Sequence, residues 1–369
     1  MTRIAVFCDG TWNAPDNVEP THVVELSRAL VNDPGLGQVS AYFAGIGTDR
    51  RFDGAFARFV NRWGGGAFGW GLDTKVKQAY QFLCLACQPG DEIYLFGFSR
   101  GAFTARSVAG MIRKCGLIDD PTESRVNEAF ELYRLRGQKN RPDAPHIQAR
   151  RAAMSPRFAT SDADLAARAG GASLVQLAYV GVWDTVGARG IPPSFLGPVA
   201  SLWNRQYRFH DMALSSLVRR ARHAVGLDER RVLYQPALWS NLGILNGGAR
   251  GNAQPYQQLW FVGNHGIIGG SAGAAALSAF TLEWIFEGAG ELTLKPGIRV
   301  PSVSGDAAAE SHALTTKGGL FARWRKGPGE DADVHPSVHA RIEARRDYRP
   351  GSLFTGATLP RPGPQGSDR

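Results

Sequence analysis

The chain has 369 residues, 43% of them hydrophobic and 20% charged, which is enough for one large α/β domain or two small ones. Its formal net charge of +9 suits anionic partners in general. The surplus, however, lies in scattered arginines and in the stretch 134–168, without a nucleic-acid motif or interleaved aromatics, so nucleic acid is excluded as an expected partner.

The first apolar run, Ile4 to Cys8, reads as a strand. The chain enters it at once, so no secretory signal is expected; the protein is expected to be cytoplasmic as synthesised, with export left to a secretion system. The strand leads into Phe7-Cys-Asp-Gly-Thr-Trp-Asn13. Asp-Gly-Thr after a first strand invites comparison with haloacid-dehalogenase phosphatases, but Phe7 stands where their nucleophilic Asp belongs, and that route is set aside. The loop can instead offer backbone N–H groups of Gly10 or Thr11, together with that of Arg100, to an oxyanion. Asp9 fits two roles, organiser of that loop or a plain Asx-turn.

A helix is expected over Thr21 to Val31 and a strand over Val39 to Ala44. Residues 52–72 are glycine- and aromatic-rich, with Trp63, Phe68 and Trp70 as either acyl-chain contacts or core. A helix over Asp73 to Cys87 precedes the most informative run, Asp91 to Arg106. There a strand (Glu92 to Phe98) meets Gly97-Phe-Ser-Arg-Gly101 and an immediate helix (Ala102 to Cys115), the local pattern of a nucleophile elbow with Ser99 at its tip. Glycine is 45 of 369 residues, so a bare G-x-S-x-G arises by chance about 0.3 times in such a chain, and context has to decide.

Further on, a helix is expected over Glu123 to Leu135, and an insertion of short helices over about 137–171. The strand Leu174 to Trp183 ends in Asp184. An apolar excursion at about 188–210, with Pro192 to Trp203, fits a lid, an acyl-chain site or an ordinary crossover. A helix is expected over Met212 to Val225, a strand over Leu259 to Val262, and a helix over Ala272 to Phe286. A second serine motif, Gly269 to Gly273, lies seven residues beyond the preceding apolar run; its Ser271 is expected to be that helix's N-cap. The stretch Ile267 to Ile285 is Gly/Ala-rich and carries Glu283, too weak for a membrane span. After Pro301 the patterning decays, and 360–369 is expected to be disordered. The division expected is one α/β-hydrolase-like domain over 1–300, a mostly parallel sheet with helices on both faces, and a C-terminal extension over 301–369.

A serine hydroxyl needs a base, and the base an orienting carboxylate; in this fold class they follow in the order Ser, acid, His at the carboxyl ends of strands. Asp184 is the candidate acid, against a structural cap. Of eight histidines, His265 follows a buried-type strand after both Ser99 and Asp184 and is the candidate base, with His223 as rival. The cysteines Cys8, Cys84, Cys87 and Cys115 lie in apolar runs without ligand spacing and read as buried thiols. Neither a cofactor nor a metal is expected.

With these residues in hand, the chain resembles the DUF2235 family, which includes the Tle1-type phospholipase effectors of type VI secretion. The resemblance rests on Phe7 to Asn13, Gly45-Ile-Gly-Thr48, Gly65 to Gly69, Gly90 to Arg106, Val182-Trp-Asp-Thr-Val-Gly187, Arg222 to Arg231 and Leu259 to His265. It implies an α/β-hydrolase-like fold, a Ser-Asp-His triad and phospholipase A chemistry, with Ser99 at the nucleophile position and His265 at the base. The family's loop after the histidine commonly reads Ser-Asp-Val-Gly-Gly, whereas here it is Gly266-Ile-Ile-Gly-Gly270. Two functions are therefore carried forward: a serine esterase or lipase acting on lipid esters, and a catalytically weak hydrolase-fold protein with a binding or accessory role. A lipid or ester substrate and an anionic membrane surface are the expected partners.

Overall fold

The structure, a computed structural model, describes residues 1–11, 13, 17–45, 68–168, 170–187, 213–249, 254–311, 314 and 322–356. Trp63, the excursion at 188–210 and the tail 360–369 lie outside the described residues, as do the side chains of Phe68 and Trp70.

Six strands form one sheet: β1 (Arg3–Cys8), β2 (Gln38–Phe43), β3 (Glu92–Phe98), β4 (Gln176–Trp183), β5 (Val218–Gly226) and β6 (Tyr256–Phe261). Their order is β2-β1-β3-β4-β5-β6, and every pairing is parallel. The main helices are α1 (His22–Ala29), α2 (Phe68–Ala86), α3 (Arg100–Cys115), α4 (Glu123–Arg134), α5 (Pro145–Met154), α6 (Ala275–Ala289) and α7 (Pro336–Ala344). This is the expected α/β architecture, with helices on both faces.

The pleat of β1 explains the two layers. Ile4, Val6 and Cys8 join a core with residues of α2, α3 and α4, while Ala5 and Phe7 join the opposite core with residues of α1 and α6. A strand buried on both faces must be apolar throughout. Each large side chain so buried contributes about 1.5–3 kcal/mol. Between β1 and β3 the strand order reverses, so the chain leaving β1 and the chain leaving β3 diverge. Crevices at the carboxyl ends of strands form at such a reversal.

One expected helix is a strand. The sequence pattern predicts a helix over Met212 to Val225, yet Val218–Gly226 is β5, paired with β4 and β6. Its Ala- and Arg-rich composition favours a helix only weakly, and non-local pairing outweighs it. Arg219 reaches Glu92, and Arg220 reaches Glu291 at 3.4 Å. These long side chains cover the strand's partly exposed positions.

The second correction concerns Ser271. Helix α6 starts at Ala275 with Ala274 at its N-cap, so Ser271 caps no helix. Its backbone N–H donates to the Gly266 carbonyl at 2.9 Å, closing a turn between His265 and α6.

The chain beyond 301 returns to the sheet. Val334 bridges to Trp260 at the β6 edge, and His335 N–H donates to the Trp260 carbonyl at 2.9 Å. Val334, Val338, Tyr348 and Leu353 complete a third apolar cluster with Val225, Leu227 and Trp260.

Candidate active site

Ser99 follows β3 directly and stands before the first turn of α3 with φ 57° and ψ −119°. A non-glycine residue in this region is strained. Tight crossing of strand and helix enforces it: a Cβ on Gly101 would lie 2.0 Å from the Cys8 carbonyl oxygen, and one on Gly97 2.5 Å from that of Gly101. Asp184, at the tip of β4, also has positive φ, 40°, and its N–H donates to the Ala224 carbonyl at 2.7 Å. His265 opens a single helical turn after β6, its following N–H groups capped by the Asn264 side chain.

These three side chains meet although they are far apart in sequence. His265 Nε2 lies 2.8 Å from Ser99 Oγ, and His265 Nδ1 lies 2.5 Å from Asp184 Oδ2. An ionised carboxylate only accepts, so Nδ1 carries the proton and Nε2 is left to accept from the Ser99 hydroxyl. All three are buried, Asp184 completely.

Arg325 closes the far side of Asp184. Its Nη1 lies 2.6 Å from Oδ1 and its Nη2 2.7 Å from Oδ2, both residues being 0% exposed. Gly226 N–H donates to Oδ1 as well, at 3.0 Å. Burial alone would raise the Asp184 carboxyl, but Arg325 and His265 outweigh it and hold the group well below the usual carboxylate range. For His265, burial lowers the imidazole, Asp184 opposes that shift, and the Arg325 charge adds to it. The result is a ring that stays neutral, ready to accept a proton. Phe98 and Tyr234 pack on it, each with ring centroids 4.7 Å away. Glu229, fully buried, accepts the His265 backbone N–H at 3.2 Å.

The loop after β1 lies beside Ser99: a Cβ on Gly10 would sit 3.2 Å from Ser99 Cβ. Asp9 organises this loop, accepting from the Thr21 and Tyr42 hydroxyls and from Gly10 N–H, each at 2.7 Å. Burial raises its carboxyl against these bonds. The Gly10 N–H is thus engaged by Asp9. Thr11 is buried, and its hydroxyl has no hydrogen-bond partner among the described residues. Arg100 heads α3, and burial lowers its guanidinium to about 10. It shares a small pocket with Cys8, Asp9, Lys75 and Thr104.

His223 is placed elsewhere. It lies within β5, where Nδ1 meets Gln258 Oε1 at 2.9 Å and Nε2 accepts from Thr185 N–H at 3.1 Å. Burial pushes it down to about 3, so it braces the loop after Asp184 as a neutral ring. Ile267, where the family's loop carries Asp, is fully buried in the third apolar cluster. Sequence reasoning missed Arg325, Glu229 and Tyr234; only Glu229 lay in a stretch, Arg222 to Arg231, that the resemblance had marked.

Among the described residues no group of three or more His, Cys, Asp or Glu could hold a metal ion, and no helix is long and apolar enough to cross a membrane. The family model described as "T6SS, Phospholipase effector Tle1-like, catalytic domain" matches residues 2–288. The uncharacterized protein YEL023C of Saccharomyces cerevisiae is 30% identical over 239 residues, covering 62% of this chain and 31% of its own length. An uncharacterized protein from Pseudomonas aeruginosa, known from its crystal structure, shares 14% identity at a TM-score of 0.41, over 83% of this chain and 49% of that one. The Tle1 effector, solved bound to the VgrG spike of the type 6 secretion system, shares 18% identity at a TM-score of 0.38, over 73% of this chain and 51% of that one. The chain thus spans about a third of the yeast relative and about half of each solved chain.

Proposed function

We propose, since the chain belongs to the family of type VI secretion phospholipase-effector, Tle1-like catalytic domains, that it is a serine hydrolase cleaving carboxylic esters of lipids. Ser99 is the nucleophile, His265 the general base and Asp184 the carboxylate that fixes the imidazole. One observation carries this reading: the continuous relay from Ser99 Oγ through His265, 2.8 Å, to Asp184, 2.5 Å.

In the reaction, Ser99 Oγ attacks the ester carbonyl while its proton passes to His265 Nε2. The oxyanion takes N–H donation from Arg100, next after the nucleophile, and from Thr11 in the loop after β1. Gly10 keeps that loop close without offering its own N–H, which Asp9 holds. His265 then gives its proton to the leaving alkoxide, and the acyl-serine is hydrolysed by water that His265 activates in turn. These steps require no metal or cofactor. Lys75 and Arg100, in the pocket beside the loop, supply positive charge for a phosphate head group. The net charge of +9 supports peripheral approach to an anionic lipid surface. The family membership supports delivery by a secretion apparatus.

A fluorophosphonate probe and phospholipid vesicles test the assignment together. Wild type and Ser271→Ala are expected to label and to release fatty acid, while Ser99→Ala does neither. Equal labelling of Ser99→Ala and wild type would overturn the nucleophile. Inertness of the folded wild type toward esters and vesicles would favour the accessory role.

A further inference from the structure

We propose that Arg325 is a positioning residue of the active site, fixing the Asp184 carboxylate toward His265 and governing the proton that passes between Ser99 and His265. It stands beyond residues 2–288, which the family model matches, so the chain that follows the matched domain supplies part of its site. The consequence for turnover rests on the hydrolase reading above; the geometry does not.

The placement leaves little freedom. Arg325 presents two nitrogens to the two Asp184 oxygens at 2.6 and 2.7 Å. The same guanidinium donates to the Gly226 carbonyl at 2.8 Å and to the Tyr234 carbonyl. It is therefore anchored to the end of β5 and to the loop that carries a ring against His265. Gly226 N–H takes the remaining approach to Oδ1, which leaves Oδ2 turned to the imidazole. Arg325 is held in turn by its neighbour, since Arg323 N–H donates to the Arg230 carbonyl at 2.9 Å. A planar two-pronged donor fixes a carboxylate in orientation as well as in charge, which a lysine cannot do.

The charge has a second effect. Facing His265 are Asp184 from β4, Glu229 from the loop after β5, and Arg325. Glu229 is itself tied to Arg231 at 2.7 Å. Tyr234 packs on the ring, and Arg100 adjoins Ser99. Arg325 opposes the attraction Asp184 would exert on an imidazolium, so His265 gives up its proton at lower pH than it would beside a lone carboxylate. This favours the neutral, proton-accepting ring.

The test uses the full chain with Arg325→Met and Arg325→Lys. His265 is titrated by NMR of its imidazole carbons, and kcat and KM for a p-nitrophenyl ester are measured across pH. In Arg325→Met the His265 midpoint and the acidic limb of kcat/KM are expected to rise together by about one pH unit, with kcat down about 100-fold and KM little changed. Arg325→Lys, which keeps the charge, is expected to hold the midpoint near that of wild type yet lose about 10-fold in kcat because the fork is gone. A folded Arg325→Met with an unmoved midpoint and unchanged kcat would overturn the proposal. If Arg325→Met does not fold, wild-type kcat in Arg325→Lys overturns it equally. Should wild type show no Ser99-dependent turnover, the hydrolase reading fails, while the His265 midpoint still decides whether Arg325 governs the imidazole.

Discussion

Asp184 and Asp228 are both fully buried carboxylates, and their surroundings send them in opposite directions. Asp184 faces Arg325 and His265 and is held ionised. In Asp184→Asn the amide has to turn a donor toward either Arg325 or His265, which selects the wrong imidazole tautomer. We expect kcat to fall about 10³–10⁴-fold and stability to fall by about 3–5 kcal/mol as the guanidinium is left without its carboxylate, read as a lowered urea midpoint. The stabilisation from Asp184 is present above the ordinary carboxyl range near 4 and lost as pH falls through its depressed native value. Among the described residues no cation is in hydrogen-bond contact with Asp228; burial raises it to about 7, against bonds from Gly263 N–H at 2.7 Å and the Tyr348 hydroxyl at 2.9 Å, both on one oxygen. Here the sign reverses. The unfolded chain releases this proton near pH 4 and the native chain holds it to about 7, so stability is lost as pH rises between them. Asn keeps the doubly used oxygen and cannot ionise. Asp228→Asn is therefore expected to gain on wild type, by on the order of a few kcal/mol, between pH 4 and 7. A parallel pH dependence in the two proteins would show that Asp228 is charged throughout.

At the scale of elements, the junction of β3 and α3 is the most tightly determined part of the chain. A methyl group on Gly101 would meet the backbone of Cys8 and Asp9, where no side-chain rotation can relieve it. Gly101→Ala is expected to cost on the order of 3 kcal/mol and to reduce Ser99 labelling, measured by urea denaturation and fluorophosphonate capture in parallel. This junction was legible in the sequence because its signals are local: a continuous apolar run, two glycines and an immediate helix. β3 falls at Glu92–Phe98 as the pattern indicates. Asp184 and His265 were legible for the same reason, each sitting at the end of an apolar strand. β5 was not. Its Arg-Arg-Ala-Arg segment carries helix-forming residues, and only pairing with β4 and β6 makes it a strand. Arg325 was equally hidden, since it sits in a weakly patterned stretch and its carboxylate is 141 residues away.

For the whole molecule, strand order explains why residues from so many elements converge. All six strands run parallel, so Asp9, Ser99, Asp184, Glu229 and His265, each just beyond a strand, share one rim. The helical layers protect the faces, but the β6 edge and its neighbour are covered from the C-terminal part of the chain. Val334, Val338, Tyr348 and Leu353 bury there against Val225, Leu227 and Trp260. At about 1.5–3 kcal/mol for each large apolar side chain, these four contribute on the order of 6–12 kcal/mol of gross burial, which offsets the entropy of ordering the segment that carries them. A chain ended at residue 300 therefore forfeits more than Arg325. It exposes Trp260 and its neighbours and is expected to be insoluble, or to bind a hydrophobic dye with loss of near-ultraviolet circular dichroism. Recovery of a soluble 1–300 chain with a cooperative urea transition would mean that the first three hundred residues close their own core. Its failure alongside a well-folded Arg325→Lys would separate the two contributions of the C-terminal segment, apolar cover for the sheet edge and a guanidinium for the site.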